Sequence, residues 1–220
     1  MTRSGEIAAN LAAVTARIET AARRAGRDPS AVTLVAITKT KPLEDLLAAF
    51  EAGVRHFGEN RVQEAEAKFP SLPAGAVRHL VGPVQSNKAS RAARVADVLH
   101  AVDSAGIARR LARAAAAEAR RLAVYVEVNT GGEETKAGVP PAQASALVEA
   151  VRALPELDVR GLMAIPPPGD TRPHFVALRR LADSLGLAGL SMGMSDDYEA
   201  AVEEGATIVR VGTALFGGRP

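Results

Sequence analysis

Lys39 stands at the end of an apolar run, Val32 to Thr38, and Pro42 then opens a helical pattern. Proline costs nothing there, because the first N–H groups of a helix have no partner inside it. A lysine at the mouth of a closed sheet is partly desolvated, and its amine can attack an aldehyde to form a Schiff base. The bland alternative is a side chain that snorkels to solvent from a strand end. Lys41 could claim the same role, but it lies in the turn and is not expected to point inward.

Two glycine-containing turns near the end of the chain suit an anion. They read Ser191-Met192-Gly193-Met194-Ser195-Asp196-Asp197 and Arg210-Val211-Gly212-Thr213. Gly193 and Gly212 let backbone N–H groups approach a phosphate closely. Ser195 precedes a helix expected from about Asp196, so it could be both an N-cap and a phosphate donor. Taken singly, Ser195 is as well explained by a plain cap and Gly212 by a tight turn. Their convergence with Lys39 on one face favours the phosphate. Arg210, if buried, needs a partner. That partner is either a carboxylate, such as Glu59 or Asp103, or a heteroaromatic nitrogen on a ligand.

These residues need a scaffold that gathers them. Ile7, Leu11, Val14 and Ile18 recur at helical spacing, and Gly26 closes that helix, expected over about 5–25. Short apolar runs then alternate with helical patterns. The expected strands begin with Val32 to Thr38, Val54 to Gly58, Val77 to Val81 and Asp97 to Val102. Ala123 to Asn129, Asp158 to Ile165, Ala188 to Met192 and Thr207 to Val211 complete the set. Such alternation implies parallel pairing, and about eight strands in a chain of 220 residues imply a closed (β/α)8 barrel of the TIM type. One domain is expected over 1–220, its barrel over about 32–217. An open doubly wound sheet is the runner-up, but no glycine-rich nucleotide signature follows the first strand. The last strand leaves no length for a helix, so the N-terminal helix is expected to cover its position or to cap the barrel base. In a parallel barrel the C-terminal strand ends form one functional face. That face collects Lys39, Glu59, Asn60, Gln85, Ser86, Asn87, Asp103, Asn129, Met163, the Gly193-Met194-Ser195 turn, Arg210, Gly212 and Thr213.

Composition narrows the classes. There is no cysteine, which excludes disulfides and thiolate metal sites. Formal net charge is +2, and the arginines of 91–94 and 109–121 have no aromatic between them, so solvated helix faces explain them better than nucleic acid. No apolar stretch approaches the roughly 18 residues of a spanning helix, and no secretory leader is visible, so a cytoplasmic protein is expected. His56, His79, His100 and His174 lack metal-ligand spacing, and packing explains them better. Pro166-Pro167-Pro168 reads as a stiff loop, and Lys136 as solvated, although it could reach the mouth.

With these residues assembled, the chain resembles the pyridoxal 5′-phosphate (PLP) homeostasis family, the YggS/PROSC type. The matching stretches are Leu34 to Pro42, His56 to Glu64, Gly82 to Lys88, Gly161 to Pro166, Ser191 to Asp197 and Val209 to Gly217. The resemblance implies a fold-type III PLP barrel, like the barrel domain of alanine racemase. It makes Lys39 the Schiff-base lysine and Asn60 a neighbour of the pyridine ring; Met163 and Gly193, from their place on the same face, are expected among the cofactor-binding residues. Ser195, Gly212 and Thr213 become phosphate ligands, and Arg210 faces the pyridine nitrogen. Thr38 replaces a frequent serine, and the stretch before Ser191 is short, which puts loop geometry there in question.

A guanidinium opposite the pyridine nitrogen keeps that nitrogen unprotonated and weakens the electron sink that PLP enzymes use. Racemases tolerate this arrangement, but they draw a second base from a further β domain of a partner subunit. This chain ends at Pro220 without such a domain, and its tyrosines, Tyr125 and Tyr198, stand in no obvious catalytic motif. The expectation is therefore a monomer that buffers PLP or delivers it to PLP-accepting apo-enzymes, with no substantial catalysis, metal, nucleic acid or membrane. The alternatives are a fold-type III amino-acid racemase or lyase, and an aldolase-like enzyme that uses Lys39 without PLP.

Overall fold

The structure is a computed structural model that describes residues 2–133 and 136–218. Its centre is a closed barrel of eight parallel strands in the order β1 to β8. The strands are β1 Thr33–Ile37, β2 His56–Glu59, β3 Val77–Leu80 and β4 Val98–Val102, then β5 Leu122–Glu127, β6 Leu157–Met163, β7 Gly189–Ser191 and β8 Ile208–Val211. All eight lie where the apolar runs placed them, within two residues at each end. β8 closes on β1, with Val35 beside Arg210. Helices α1 Arg3–Arg24, α2 Leu43–Glu51, α3 Val62–Lys68, α4 Ala89–Val95 and α5 Ala105–Ala117 cover the first half. Helices α6 Pro141–Arg152, α7 Arg172–Ser184, α8 Tyr198–Glu203 and α9 Thr213–Phe216 cover the rest.

Alternation along each strand divides the apolar residues into two layers. Ala36, Phe57, Leu80, Leu99, Val124, Val126, Leu162 and Val209 face outward and pack under the helices. Val35, Ile37, Val81, Ala101, Tyr125, Met163 and Ile208 face inward and fill the barrel. The interior is unusually polar beyond these, for His79, His100, Glu127, Ser191 and Arg210 are also buried.

The N-terminal helix takes the outer position that follows β8. It packs on α2, α8 and α9, burying Ile7, Val14 and Ile18. Arg3 forks onto Asp45 at 3.0 and 2.6 Å, and Asn10 donates to the carbonyl of Leu215. The expectation of no helix after β8 is corrected only slightly. α9 spans four residues, too few to cover the strand, so α1 does so.

β6 and β7 approach so closely at Gly161 and Gly189 that a Cβ on Gly161 would lie 1.9 Å from the Gly189 carbonyl oxygen. Gly161→Ala is expected to cost about 3 kcal/mol or more, because the obstacle is backbone and cannot rotate away. Urea unfolding checks this; a loss within 1 kcal/mol would contradict it. Among the described residues no helix is long and apolar enough to cross a membrane, and no cluster of potential metal ligands occurs.

Candidate functional site

A cavity of about 430 Å³ opens at the C-terminal face of the barrel, within the range of small-molecule sites. Lys39, Asn60, Ser195, Arg210, Gly212 and Thr213 all line it, together with Ile37, Val81, Glu127, Ile165, Met194 and Asp196. Six of the expected site residues therefore meet on one wall or another of a single space. Met163 does not; it is fully buried in the inner apolar layer. Gly193 is buried behind the wall, where its carbonyl accepts from the Arg210 N–H at 3.0 Å.

The turn that carries Lys39 is tightly held. Lys41 N–H donates to the Thr38 carbonyl at 3.0 Å, closing a turn over Lys39 and Thr40. Thr40 has φ 64°, a left-handed conformation that β-branched residues resist. Its N–H donates to Glu64 at 2.9 Å, and the Lys68 ammonium bridges Glu64, Glu59 and the Thr38 carbonyl at 3.0, 2.8 and 2.9 Å. Glu59 also accepts from the Thr38 hydroxyl at 2.7 Å. Burial pushes the Glu59 carboxyl up, while Lys68 and Thr38 pull it back.

Lys41, expected to lie in the turn and not to point inward, lines the cavity beside Lys39, and hydrogen bonding separates the two lysines. Lys41 Nζ donates to the carbonyls of Phe216, Gly217 and Gly218 at 3.2, 3.2 and 2.8 Å. Lys39, half-buried at the cavity wall, has no hydrogen-bond or ion-pair partner among the described residues. Of the two, Lys39 is the amine without a competing partner. Lys136 is exposed and pairs with Glu133 at 2.7 Å, away from the cavity lining.

The turn that carries Ser195 is assembled differently from the expectation. Asp197, not Ser195, occupies the N-cap position of α8. The Ser195 hydroxyl instead accepts from the N–H groups of Gly212 and Ala214, both at 3.3 Å. Two backbone donors thus converge on one oxygen, the geometry a phosphate oxygen would need. The physical reason is Gly193, whose φ of 91° swings the chain so that Ser195 meets the β8–α9 turn. A Cβ at Gly193 would lie 2.5 Å from that of Ala201, and one at Gly212 would lie 3.2 Å from the Ile37 carbonyl oxygen. Gly193 therefore needs glycine, while Gly212 sits in a tight approach that a Cβ would crowd.

Arg210 pairs with neither Glu59 nor Asp103. Its guanidinium donates to Ser191 Oγ at 2.7 Å and to the Ala164 carbonyl at 3.0 Å, which leaves donors over on the cavity side. Burial pulls its pKa down to about 10, against the pull of Glu127 and Asp197, so it is a cation at neutral pH.

Glu127 was missed. It is 5% exposed, lines the cavity, and its Oε2 has no hydrogen-bond partner among the described residues. Burial, aided by repulsion from Asp103 and opposed by Arg210, pushes its carboxyl up to about 7. Strand alternation could have found it, since Glu127 follows inward-facing Tyr125 by two residues. Among the described residues Ile165 and Met194, 42% and 40% exposed, are the exposed large apolar side chains, and both stand at this cavity.

A closed parallel barrel with an unpaired lysine, a glycine-containing turn held by Ser195 and a buried cation around one cavity is a small-molecule-binding barrel. Its chemistry suits a phosphorylated aldehyde. The chain belongs to the family of the alanine racemase N-terminal domain, whose profile matches residues 9–220, and within it to the pyridoxal phosphate homeostasis proteins. The Pyridoxal phosphate homeostasis protein of Pseudomonas aeruginosa is 49% identical over 222 residues, covering 97% of this chain and 96% of the relative. Its namesake in Escherichia coli K12 is 43% identical over 229 residues, covering 97% of each. PipY of Synechococcus elongatus, solved with PLP bound, is 40% identical, with TM-score 0.83 over 96% of this chain and all of that one. Alanine racemase of Corynebacterium glutamicum, 18% identical with TM-score 0.70, shares the fold and is covered over 60% of its length.

Proposed function

We propose that this protein holds PLP as a Schiff base on Lys39 and serves intracellular PLP homeostasis in the cytoplasm by buffering the cofactor or passing it to apo-enzymes. The observation that carries this reading is the convergence of an unpaired amine, the Ser195, Gly212 and Thr213 turns and the Arg210 guanidinium on one cavity. The residues fit the group on their own chemistry. Ser195, Gly212 and Thr213 would hold the phosphate, Asn60 would stand beside the ring, and Arg210 would meet the pyridine nitrogen with its remaining donors. Met163 and Gly193 would support this set from behind, Met163 from the apolar floor and Gly193 through its turn. PLP supplies an electrophilic aldehyde and an electron sink when bound. The protein's part is to keep Arg210 charged and Lys39 unpaired, and to leave the mouth open beside Ile165 and Met194. The carrier acts as a monomer.

Titrating the ligand-free protein with PLP is expected to raise a visible absorbance band, and borohydride reduction followed by peptide mapping should place the label on Lys39. A colourless protein, or a label on another lysine, would reject the site. Delivery is checked by mixing loaded protein with an apo-enzyme and following its recovered activity. A second reading has one observation behind it: Glu127 is a carboxyl near 7 in the cavity, able to carry a proton in weak amino-acid chemistry. Racemisation or elimination at useful turnover, lost in Glu127→Gln, would favour it over a carrier.

A further inference from the structure

Three of the four histidines form a continuous row inside the barrel. His56 Nδ1 lies 2.9 Å from His79 Nε2, and His79 Nδ1 lies 2.8 Å from His100 Nε2. His100 Nδ1 lies 2.8 Å from Ser191 Oγ, which is also the acceptor for Arg210 Nη1. The row begins half-buried at the first residue of β2, passes through β3 and β4, crosses the interior to β7 and ends on β8. His79, His100, Ser191 and Arg210 are all at most 4% exposed, and Tyr125 stacks on His100 with ring centres 5.0 Å apart.

Donor chemistry gives the row a direction. Arginine only donates, so the Ser191 hydroxyl hydrogen is left to reach His100 Nδ1. A neutral imidazole has one donor and one acceptor, so His100 then donates from Nε2 to His79, and His79 from Nε2 to His56. The opposite sense would leave the buried Ser191 hydroxyl hydrogen without an acceptor, at a cost of about 1–3 kcal/mol. A cationic ring at His79 or His100 would set two donors face to face across a contact or at Ser191. Burial opposes that charge: it brings His79 to about 3 and His100 well below the usual imidazole range, and it lowers His56 less. His56 and Asp97 act on His79 in opposite senses, while His79 and Arg210 both disfavour charge on His100.

We infer that Ser191, His100 and His79 are positioning residues for Arg210: neutral imidazoles, each in its Nε2–H form, orient the Ser191 oxygen and hold the guanidinium toward the cavity. The inference rests on the proposed PLP site, in which Arg210 meets the pyridine nitrogen, and its test has an arm independent of that reading.

In ligand-free protein labelled with ¹⁵N-histidine, magnetic resonance should show His79 and His100 neutral and protonated at Nε2 between pH 6 and 8, with nitrogen–nitrogen coupling across the contacts. An Nδ1–H form or a charged ring would overturn the inference. In the PLP-loaded protein, His100→Leu should shift the pH midpoint of the bound-cofactor absorbance by about one unit. His100→Asn, whose oxygen can accept in place of Nδ1, should restore it, although both variants lower the melting temperature. Ser191→Ala, a smaller change, should reproduce the shift if His100→Leu does not fold. If stability falls but the midpoint stays at the wild-type value, the row is only structural. If Arg210→Lys moves the midpoint while His100→Leu and Ser191→Ala do not, the row fails and the PLP site stands. Failure of the native protein to bind PLP rejects the site and leaves the resonance arm to judge the row.

Discussion

Lys39→Ala is expected to abolish the visible band of the PLP-loaded protein and to weaken PLP retention by about 100-fold or more, equivalent to about 2.7 kcal/mol. The argument begins with the turn. Thr40 is held at φ 64° by Glu64 and Lys68, so the backbone around Lys39 is set before any ligand arrives. The amine has no competing partner among the described residues, whereas Lys41 is committed to three carbonyls and cannot take over. Some binding should persist, because Ser195, Gly212, Thr213 and Arg210 are untouched by the substitution. Equilibrium dialysis beside the spectrum separates the covalent from the non-covalent part. Lys41→Ala is the control: it should keep the band. If Lys41→Ala loses the band and Lys39→Ala keeps it, the assignment of the two lysines is reversed.

Glu127→Gln is expected to be more stable than the wild type at pH 8 and nearly equal to it at pH 4, the gap widening by about 3 kcal/mol. Burial raises the folded carboxyl to about 7 from an ordinary 4.5. A raised carboxyl binds its proton more tightly folded than unfolded, so its contribution is favourable at low pH and is lost as pH rises through that window. Glutamine has no proton to lose and escapes the loss. His79 and His100 act in the opposite sense, for depressed imidazoles cost stability as pH falls below the ordinary imidazole range. They are common to both proteins and cancel in the difference. Denaturant titrations at several pH values check this, and a gap independent of pH would show that Glu127 ionises as a surface carboxylate does. Because Lys39 and the anion donors are unchanged, Glu127→Gln should still bind PLP, which keeps the stability result separate from binding.

Much of this site was legible without coordinates because its signals are local. The run Val32 to Thr38 ends at Lys39 whatever the fold around it, Gly193 marks a backbone position that admits no side chain, and Gly212 marks a tight one. The N-cap role expected of Ser195 does not hold: its hydroxyl serves the β8–α9 turn, not α8. Which N–H a hydroxyl meets depends on how one loop lies over another, and no spacing encodes that. Glu127 was accessible in principle from alternation, yet a carboxylate inside a strand reads as exposed until the barrel closes around it.

The histidines mark the boundary most sharply. Periodicity of apolar residues dictates eight strands, their parallel order and the end at which polar loops gather, because backbone geometry repeats over short distances. It says nothing of which inward side chains touch. His56, His79 and His100 lie on three strands, and only the inter-strand register and the closure of β8 on β1 bring them into line with Ser191 and Arg210. Strand identity is a property of neighbours along the chain, whereas a hydrogen-bonded row is a property of neighbours across it.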